Sequence, residues 1–300
     1  MTAPARRLSV IIFSTTPLRE VPACLATLGA QQRDGEPEII VVYGADTETP
    51  DGVSRGYPGA TFVRLENGTS IARLLGEALR RTRGEIVALT EATCEVDKGW
   101  LAAVEKTHRA PDPVIGGAVE PEGLRTALDW AAFFAEYGHF MLPLAEGVAP
   151  PVPGINLSVK RPALERGREF VEGEFWKAFW CRRLQAEGTT LWLSPLPVVY
   201  YRKSFDLRPF LVRRFHHGRC FAGMRLRELS PWQRALYVAG SPLLPLLFCA
   251  RIVTSVAPKR RYWSQLVRAF PHVVLATVSW ALGELCGYLL GPGTSCREVR

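Results

Sequence analysis

The sequence predicts an α/β protein: a doubly wound domain of largely parallel strands with covering helices, then an apolar helical hairpin at the C-terminus. Three observations carry that expectation. Short, continuous apolar runs recur at Leu8 to Phe13 (LSVIIF), Glu38 to Val42 (EIIVV), Thr61 to Leu65 and Ile86 to Leu89. Runs of this length suit strands covered on both faces. Segments of helical spacing separate the first run from the second and the third from the fourth, which gives a β-α-β-β-α-β order. Two further apolar stretches lie within residues 231–300.

In chain order, Ser14, Thr15 and Thr16 end the first run, and Pro17 opens a helix whose Leu18, Val21, Leu25 and Leu28 keep helical spacing. The second run leads into a loop holding Tyr43, Asp46, Glu48 and Asp51. Thr69 or Ser70 is placed to cap the next helix, with Ile71, Leu74, Leu75, Ala78 and Leu79 on one face. Residues 84–101, GEIVALTEATCEVDKGWL, then read as a buried strand, a turn with Thr90 and Glu91, and a helix from near Asp97. In sheets of this kind ligands gather at the carboxyl ends of the strands, where Glu91 falls. Such a carboxylate either holds a divalent cation against a diphosphate or serves as an ordinary capping or surface acid. No G-x-G-x-x-G or G-x-x-x-x-G-K-[ST] pattern is present, which argues against dinucleotide and P-loop functions.

Charge and cysteine content bound the rest. The 300-residue chain has a formal net charge of +8. Residues 201–300 hold 16 Lys and Arg against 4 Asp and Glu, whereas residues 1–200 are net acidic. A basic last third points to an anionic partner, membrane or nucleic acid. Long apolar runs between the basic residues, with no base-stacking module, argue against nucleic acid. Seven scattered cysteines without C-x-x-C spacing predict reduced thiols facing the cytosol, with neither disulfide frame nor zinc site.

Several stretches together resemble a family 2 glycosyltransferase of the membrane-associated bacterial type. These are LSVIIFST, EIIVV with its acidic loop, GTSIARLLGEALRRTRGEIVAL, TEATCEVDKGWL, VIGGAVEP (114–121), GINLSVKR (154–161) and the helix ending LQAEG (184–188), spanning about residues 8 to 225. The resemblance implies the GT-A nucleotide-sugar-binding fold over residues 1–230, with a membrane-associated helical segment over 231–300. It also implies transfer of a sugar, with inversion, from a nucleotide-sugar donor to a lipid-linked, glycan or other membrane-proximal acceptor hydroxyl. The family's metal-binding Asp-x-Asp falls at Glu91-Ala92-Thr93, so Glu91 is the implied ligand for Mn or Mg. Nucleoside contacts are implied for Ser14, Thr15 and Asp46, a phosphate contact for Arg73, and the floor beneath the sugar for Asn156. The family's base falls near Glu174, with Glu172 as second choice, although the best register puts Lys177 at that position. Tyr43 and Gly44 stand where the family carries acidic residues. A catalytically degenerate scaffold of the same fold is therefore the alternative.

The remaining expectations concern the apolar parts. Trp130, Phe133, Phe134 and Tyr137 form one stripe on a helix over residues 124–140, either core packing or a wall of the acceptor groove. Pro143, Pro150, Pro151 and Pro153 mark a loop long enough to close over a site. The basic, apolar segment from Phe205 to Arg225 suits a membrane surface, with His217 or Arg219 as diphosphate contacts the alternative to lipid-facing charges. Ala235 to Ala250 has 16 uncharged residues, roughly 24 Å as a helix, short of the ~30 Å hydrocarbon core. Pro242 and Pro245 are expected to bend it. Lys259, Arg260 and Arg261 separate it from the second stretch, Ala269 to Gly283. An interfacial or re-entrant hairpin on the cytoplasmic face keeps these charges out of hydrocarbon; two spanning helices or buried soluble helices are the alternatives.

Overall fold

The computed structural model describes residues 7–15, 18–31, 36–44, 51–66, 68–148, 151–169 and 174–299. The chain divides into two compact units, one of Met1–Glu122 with Phe140–Arg202, the other of Gly123–His139 with Lys203–Arg300. By packing, a segment from mid-chain thus joins the C-terminal helices.

The first unit is built on one nine-stranded sheet. Its first half contains β1 (Leu8–Ser14), α1 (Val21–Gly29), β2 (Glu38–Gly44), α2 (Asp51–Gly56), β3 (Ala60–Leu65), α3 (Ile71–Leu79), β4 (Ile86–Glu91), β5 (Cys94–Val96), α4 (Trp100–Thr107) and β6 (Val114–Pro121). The strand order begins β3-β2-β1-β4, all four parallel. Every residue of β1 and β4 is buried, as continuous apolar runs demand. The chain leaves β1 for β2 on one side and returns to β4 on the other, so the carboxyl ends of β1 and β4 flank a topological switch point.

Across β4 the sheet changes character. The short β7 (Gly147–Val148), β8 (Leu157–Lys160) and β9 (Leu191–Tyr201) follow in sequence, with the helix α6 (Arg161–Arg166) after β8 and α7 (Lys177–Ala186) before β9. The sheet continues β4-β8-β6-β9-β5, with β8 antiparallel to both neighbours and β7 paired to β9. The β6–β9 register shifts between Gly116 and Ala118, a bulge at the glycine pair of VIGGAVEP.

At the amino ends of β1 and β2, opposite the switch point, a buried network joins these two strands to the turn that enters β4. Ser9 Oγ donates to Glu38 Oε2 at 2.6 Å and accepts from the Gly84 N–H at 2.8 Å, while the Arg83 N–H also reaches Glu38 Oε2 at 2.7 Å. Gly84 is required here, because an added Cβ would lie 2.6 Å from the Ser9 nitrogen.

The second unit is helical. It contains the aromatic helix α5 (Ala127–Glu136), α8 (Leu207–Arg225), α9 (Pro231–Gly240), α10 (Leu244–Val256) and α11 (Trp263–Leu290). The aromatic stripe packs as core: Phe133 and Phe134 are buried, and Trp130 lies against Phe134 and Tyr262 at ring distances of 5.5 and 4.8 Å. The α8 and α11 helices touch backbone to backbone through glycines. A Cβ on Gly283 would sit 2.1 Å from the Phe215 carbonyl oxygen, and one on Gly218 2.3 Å from that of Trp280.

Two expectations are corrected in this unit. Cys220 and Cys296 form a disulfide that ties the C-terminal 3₁₀ turn to α8. Seventy-six residues separate them, so spacing alone does not reveal the pair. The proline-containing stretch is also longer than its uncharged core. Two 3₁₀ turns, Ser241–Leu243 and Ala257–Lys259, join on to α9 and α10, and Pro231–Lys259 is long and apolar enough to cross a membrane, as is Trp263–Leu290. Each proline falls in the first turn of a helical piece, where its missing N–H costs nothing.

Candidate active site

The end of β1 and the end of β4 meet through the sheet register, Phe13 facing Glu91. The Ala92 N–H then donates to the Phe13 carbonyl at 2.9 Å, turning the chain across the head of β1. Ser14 is buried and Thr15 half-buried at that head, so both sit beside Glu91 at the switch point. The Glu91 side chain is only 5% exposed. Beside it in sequence, the hydroxyls of Thr90 and Thr93 are buried and make no hydrogen bond. Buried hydroxyls without partners carry a desolvation cost. Strand alternation turns Thr90 to the sheet face opposite Glu91, which leaves Thr93 as the unpartnered hydroxyl of the turn after the carboxylate.

The turn after Glu91 is fixed from both sides. Residues Cys94–Val96 pair antiparallel with β9, and the Arg202 N–H donates to the Thr93 carbonyl at 3.3 Å. The expected helix starts later than Asp97, at Trp100, because Cys94–Val96 first form a strand. Gln31 at the end of α1 locks its start, accepting from the Leu101 N–H at 2.9 Å and donating to the Asp97 carbonyl at 3.0 Å.

Asn156 lies under this region and is 2% exposed. Its Nδ2 donates to the carbonyls of Ala118 and Pro197, at 2.7 and 3.0 Å, and its Oδ1 accepts from Trp100 Nε1 at 2.9 Å. The amide is spent on joining β6, β9 and α4, which makes it a floor and a positioning group. Gly117 allows the approach, since a Cβ there would lie 2.2 Å from Asn156 Nδ2.

A second group gathers at the N-terminus of α3. Ser70 caps that helix, its Oγ accepting from the Arg73 N–H at 3.3 Å. The Phe175 N–H donates to the Ala72 carbonyl at 2.7 Å, so Glu174 and Arg73, both exposed, belong to adjoining backbone. The Glu174 carboxylate accepts from Trp176 Nε1 at 2.9 Å. Lys177, the residue that the resemblance aligns with a base, points its ammonium at the Val152 carbonyl, and burial holds its pKa below the usual lysine value. Asp46 and Glu172 lie outside the described residues. His217 and Arg219 are engaged within the second unit: His217 against Trp280, and Arg219 Nε donating to the Gly291 carbonyl at 3.1 Å. Thr93 is the residue whose place sequence reasoning located, two beyond Glu91, without assigning it a task.

Among the described residues no three His, Cys, Asp or Glu side chains gather as a metal site. The donors at the β4 end, a buried carboxylate followed by the orphaned Thr93 hydroxyl, are hard oxygen ligands. They fit a Mg²⁺- or Mn²⁺-type ion that takes its remaining ligands from phosphate and water.

No family model and no curated protein sequence matches this chain. Among solved structures it is similar to the mannosyltransferase PcManGT from Pyrobaculum calidifontis, solved in complex with GDP-Man and Mn2+. The TM-score is 0.59 at 18% identity, over 96% of this chain and 88% of that one. The fold is shared with a glycosyltransferase. It is the GT-A-like α/β architecture expected from the sequence, with two apolar C-terminal helices.

His108 reports on the floor of the site. Its Nε2 is 2.9 Å from Ser158 Oγ, two residues beyond Asn156. Burial, and then the charge of Lys160, pushes its pKa down from 6.5 to about 4, against the opposing hydrogen bond at Ser158. The folded state therefore binds this proton less readily than the unfolded chain. Stability that is full above the unfolded value of 6.5 is lost as pH falls toward about 4. In urea unfolding, wild type should lose about 3 kcal/mol more than His108→Gln between pH 7 and pH 4. Parallel pH profiles would contradict the assignment.

Proposed function

We propose that this chain is a family 2 glycosyltransferase that moves a sugar from a nucleotide-sugar donor to a lipid-linked or other membrane-proximal acceptor hydroxyl, with inversion. The observation that carries the reading is the buried Glu91 carboxylate, followed two residues on by the unpartnered Thr93 hydroxyl, at the switch point of a fold similar over 96% of this chain to a glycosyltransferase. The hexosyl donor class is suggested by the GDP-Man in that neighbour.

In this reading the acceptor oxygen bonds to the anomeric carbon from the face opposite the leaving group. The bond from that carbon to the diphosphate breaks, and the nucleoside diphosphate departs with its electron pair. Glu174 takes the acceptor proton, and the Trp176 indole orients its carboxylate. Ser14 and Thr15 face the nucleoside and Arg73 a phosphate, while Asn156 holds α4 and β6 beneath the sugar. Glu91, with the Thr93 hydroxyl, supplies the protein's oxygen donors to Mn or Mg. Such an ion, when bound, neutralises charge on the departing diphosphate. Asp46 and Glu172 remain further candidates for the nucleoside and the base.

A non-catalytic scaffold of the same fold is the second reading, favoured by Lys177 in the place of an acid. Donor hydrolysis and transfer by the purified protein, with Mn²⁺, Mg²⁺ or chelator, separate the two. Glu91→Ala should lower kcat by roughly 100-fold or more, and the near-isosteric Thr93→Val by about tenfold. Wild-type protein that neither turns over nor binds nucleotide at millimolar concentration would leave only the scaffold.

We also propose that the second unit lies along the cytoplasmic face of a cell-envelope membrane and does not span it. Trp232, Leu243, Leu246 and Leu290 are 67–78% exposed, far more than a water-facing surface favours for such residues. Helix α11 is packed by α8 against Gly283 and Gly287 and by α5, while its Trp263, Val267, Leu275 and Leu282 remain 44–57% exposed. Helix α8 carries Arg208, Arg213, Arg214, Arg219 and Arg225, which a spanning α11 would pull into hydrocarbon. In-plane burial of one apolar face avoids that cost. Leu246→Glu combined with Leu247→Glu, at positions 73% and 59% exposed, should abolish co-flotation with lipid vesicles while leaving the helical circular dichroism intact. Unchanged flotation would contradict the in-plane reading.

A further inference from the structure

The second unit carries a half-open cavity of about 400 Å³ walled by its helices. One wall is a stripe of Leu236, Gly240, Leu244 and Phe248, every fourth residue along the nearly continuous helix from α9 to α10. Gly240 keeps that wall open, since a Cβ there would meet no atom within 4 Å. The stripe runs out on to the apolar surface, where Leu236 is 61%, Leu243 67% and Leu247 59% exposed.

The polar end of the cavity is set by Arg225. Its guanidinium lies 4.2 Å over the Tyr237 ring and donates to the phenols of Tyr237 and Tyr288, at 2.5 and 3.4 Å. Its Nε is buried and makes no hydrogen bond. The one acid in the lining, Glu284, already accepts from Trp280 Nε1 at 2.5 Å and from the Tyr288 phenol at 3.2 Å. Donor capacity aimed at the cavity therefore exceeds acceptor capacity, in a part of the chain with 16 basic and 4 acidic residues.

A guanidinium with unmet N–H groups matches a phosphodiester. A free phosphate would give up its hydration for one cation among aromatic and aliphatic walls, a poor exchange. A phospholipid brings the same phosphate with acyl chains that cover the stripe and follow it outward, and one without a headgroup ammonium suits surroundings of 16 basic and 4 acidic residues. We propose that this cavity holds one anionic phospholipid, its phosphate on Arg225 and an acyl chain along Leu236, Gly240, Leu244 and Phe248. The proposal rests on the membrane-surface reading above and is independent of the catalytic one.

The test is native mass spectrometry of the full chain, released from mixed micelles of phosphatidylglycerol and phosphatidylcholine, beside vesicle flotation of the same samples. One phosphatidylglycerol should be retained, preferred over phosphatidylcholine by about tenfold, and neither inorganic phosphate nor glycerol phosphate at millimolar concentration should displace it. Gly240→Leu, which fills the cavity without meeting neighbours, and Arg225→Gln should each cut retention by about tenfold while still floating with vesicles. Equal retention by Gly240→Leu, equal binding of the two lipids, or displacement by free phosphate would overturn the site. Flotation without a retained lipid overturns the site alone, whereas failure to float overturns the membrane reading and the site with it.

Discussion

Asn156 holds the candidate site in shape through one side-chain amide. Two donors and one acceptor, all buried, tie β8 to β6, β9 and α4. Leaving any of those partners unpaired in the interior costs about 1–3 kcal/mol. The arrangement exists only because Gly117 has no side chain in the space the amide fills. With α4 fixed by Trp100 and Gln31, and β5 pinned to β9, the turn carrying Glu91 and Thr93 has little freedom. Rigid support of this kind lets a carboxylate and a nearby hydroxyl be aimed at a ligand before it arrives.

The second unit meets a different constraint. Its longest helix, α11, is close-packed against α8 through Gly283 and Gly287, at a distance only glycine permits. Close packing hides the arginine-bearing helix against α11 and leaves the apolar side of α9 and α10 outward. Arg234 closes the far end by donating to the Tyr288 and Leu289 carbonyls, at 2.7 and 2.9 Å, so the last turn of α11 keeps its acceptors satisfied. An amphipathic slab results, basic residues beside a broad aliphatic face, and it accounts for the uneven charge of the sequence. A transferase working on a membrane-held acceptor gains from such a slab because both reactants are then confined to the same surface.

Much of this was legible in the residues. The parallel core could be read from LSVIIF, EIIVV and the run ending at Glu91, because strands buried on both faces leave unbroken apolar runs. The sequence narrows the cap before α3 to Thr69 or Ser70, and the folded chain uses Ser70. The three-residue β5 did not, since CEV carries no periodic signal and its partner strand lies about a hundred residues away. The Cys220–Cys296 link and the return of residues 123–139 to the C-terminal unit are likewise long-range facts that no local pattern encodes. Pro242 and Pro245, expected to bend the helix, stand in the first turns of successive helical pieces, a 3₁₀ turn and α10. At the site, sequence placed Glu91, Ser14 and Thr15 at strand ends, while only the folded chain distinguishes a Thr93 hydroxyl lacking a partner from the many that have one.

The central claim is that the β4 end grips a metal-bound diphosphate through Glu91. Its most direct measurement is the anomalous scattering of manganese in crystals soaked with Mn²⁺ and a nucleoside diphosphate. The account predicts one manganese peak at roughly 2.2 Å from a Glu91 carboxylate oxygen, bridging to the diphosphate, and its loss in Glu91→Ala crystals. A nucleotide bound elsewhere, or manganese held away from Glu91, would contradict it.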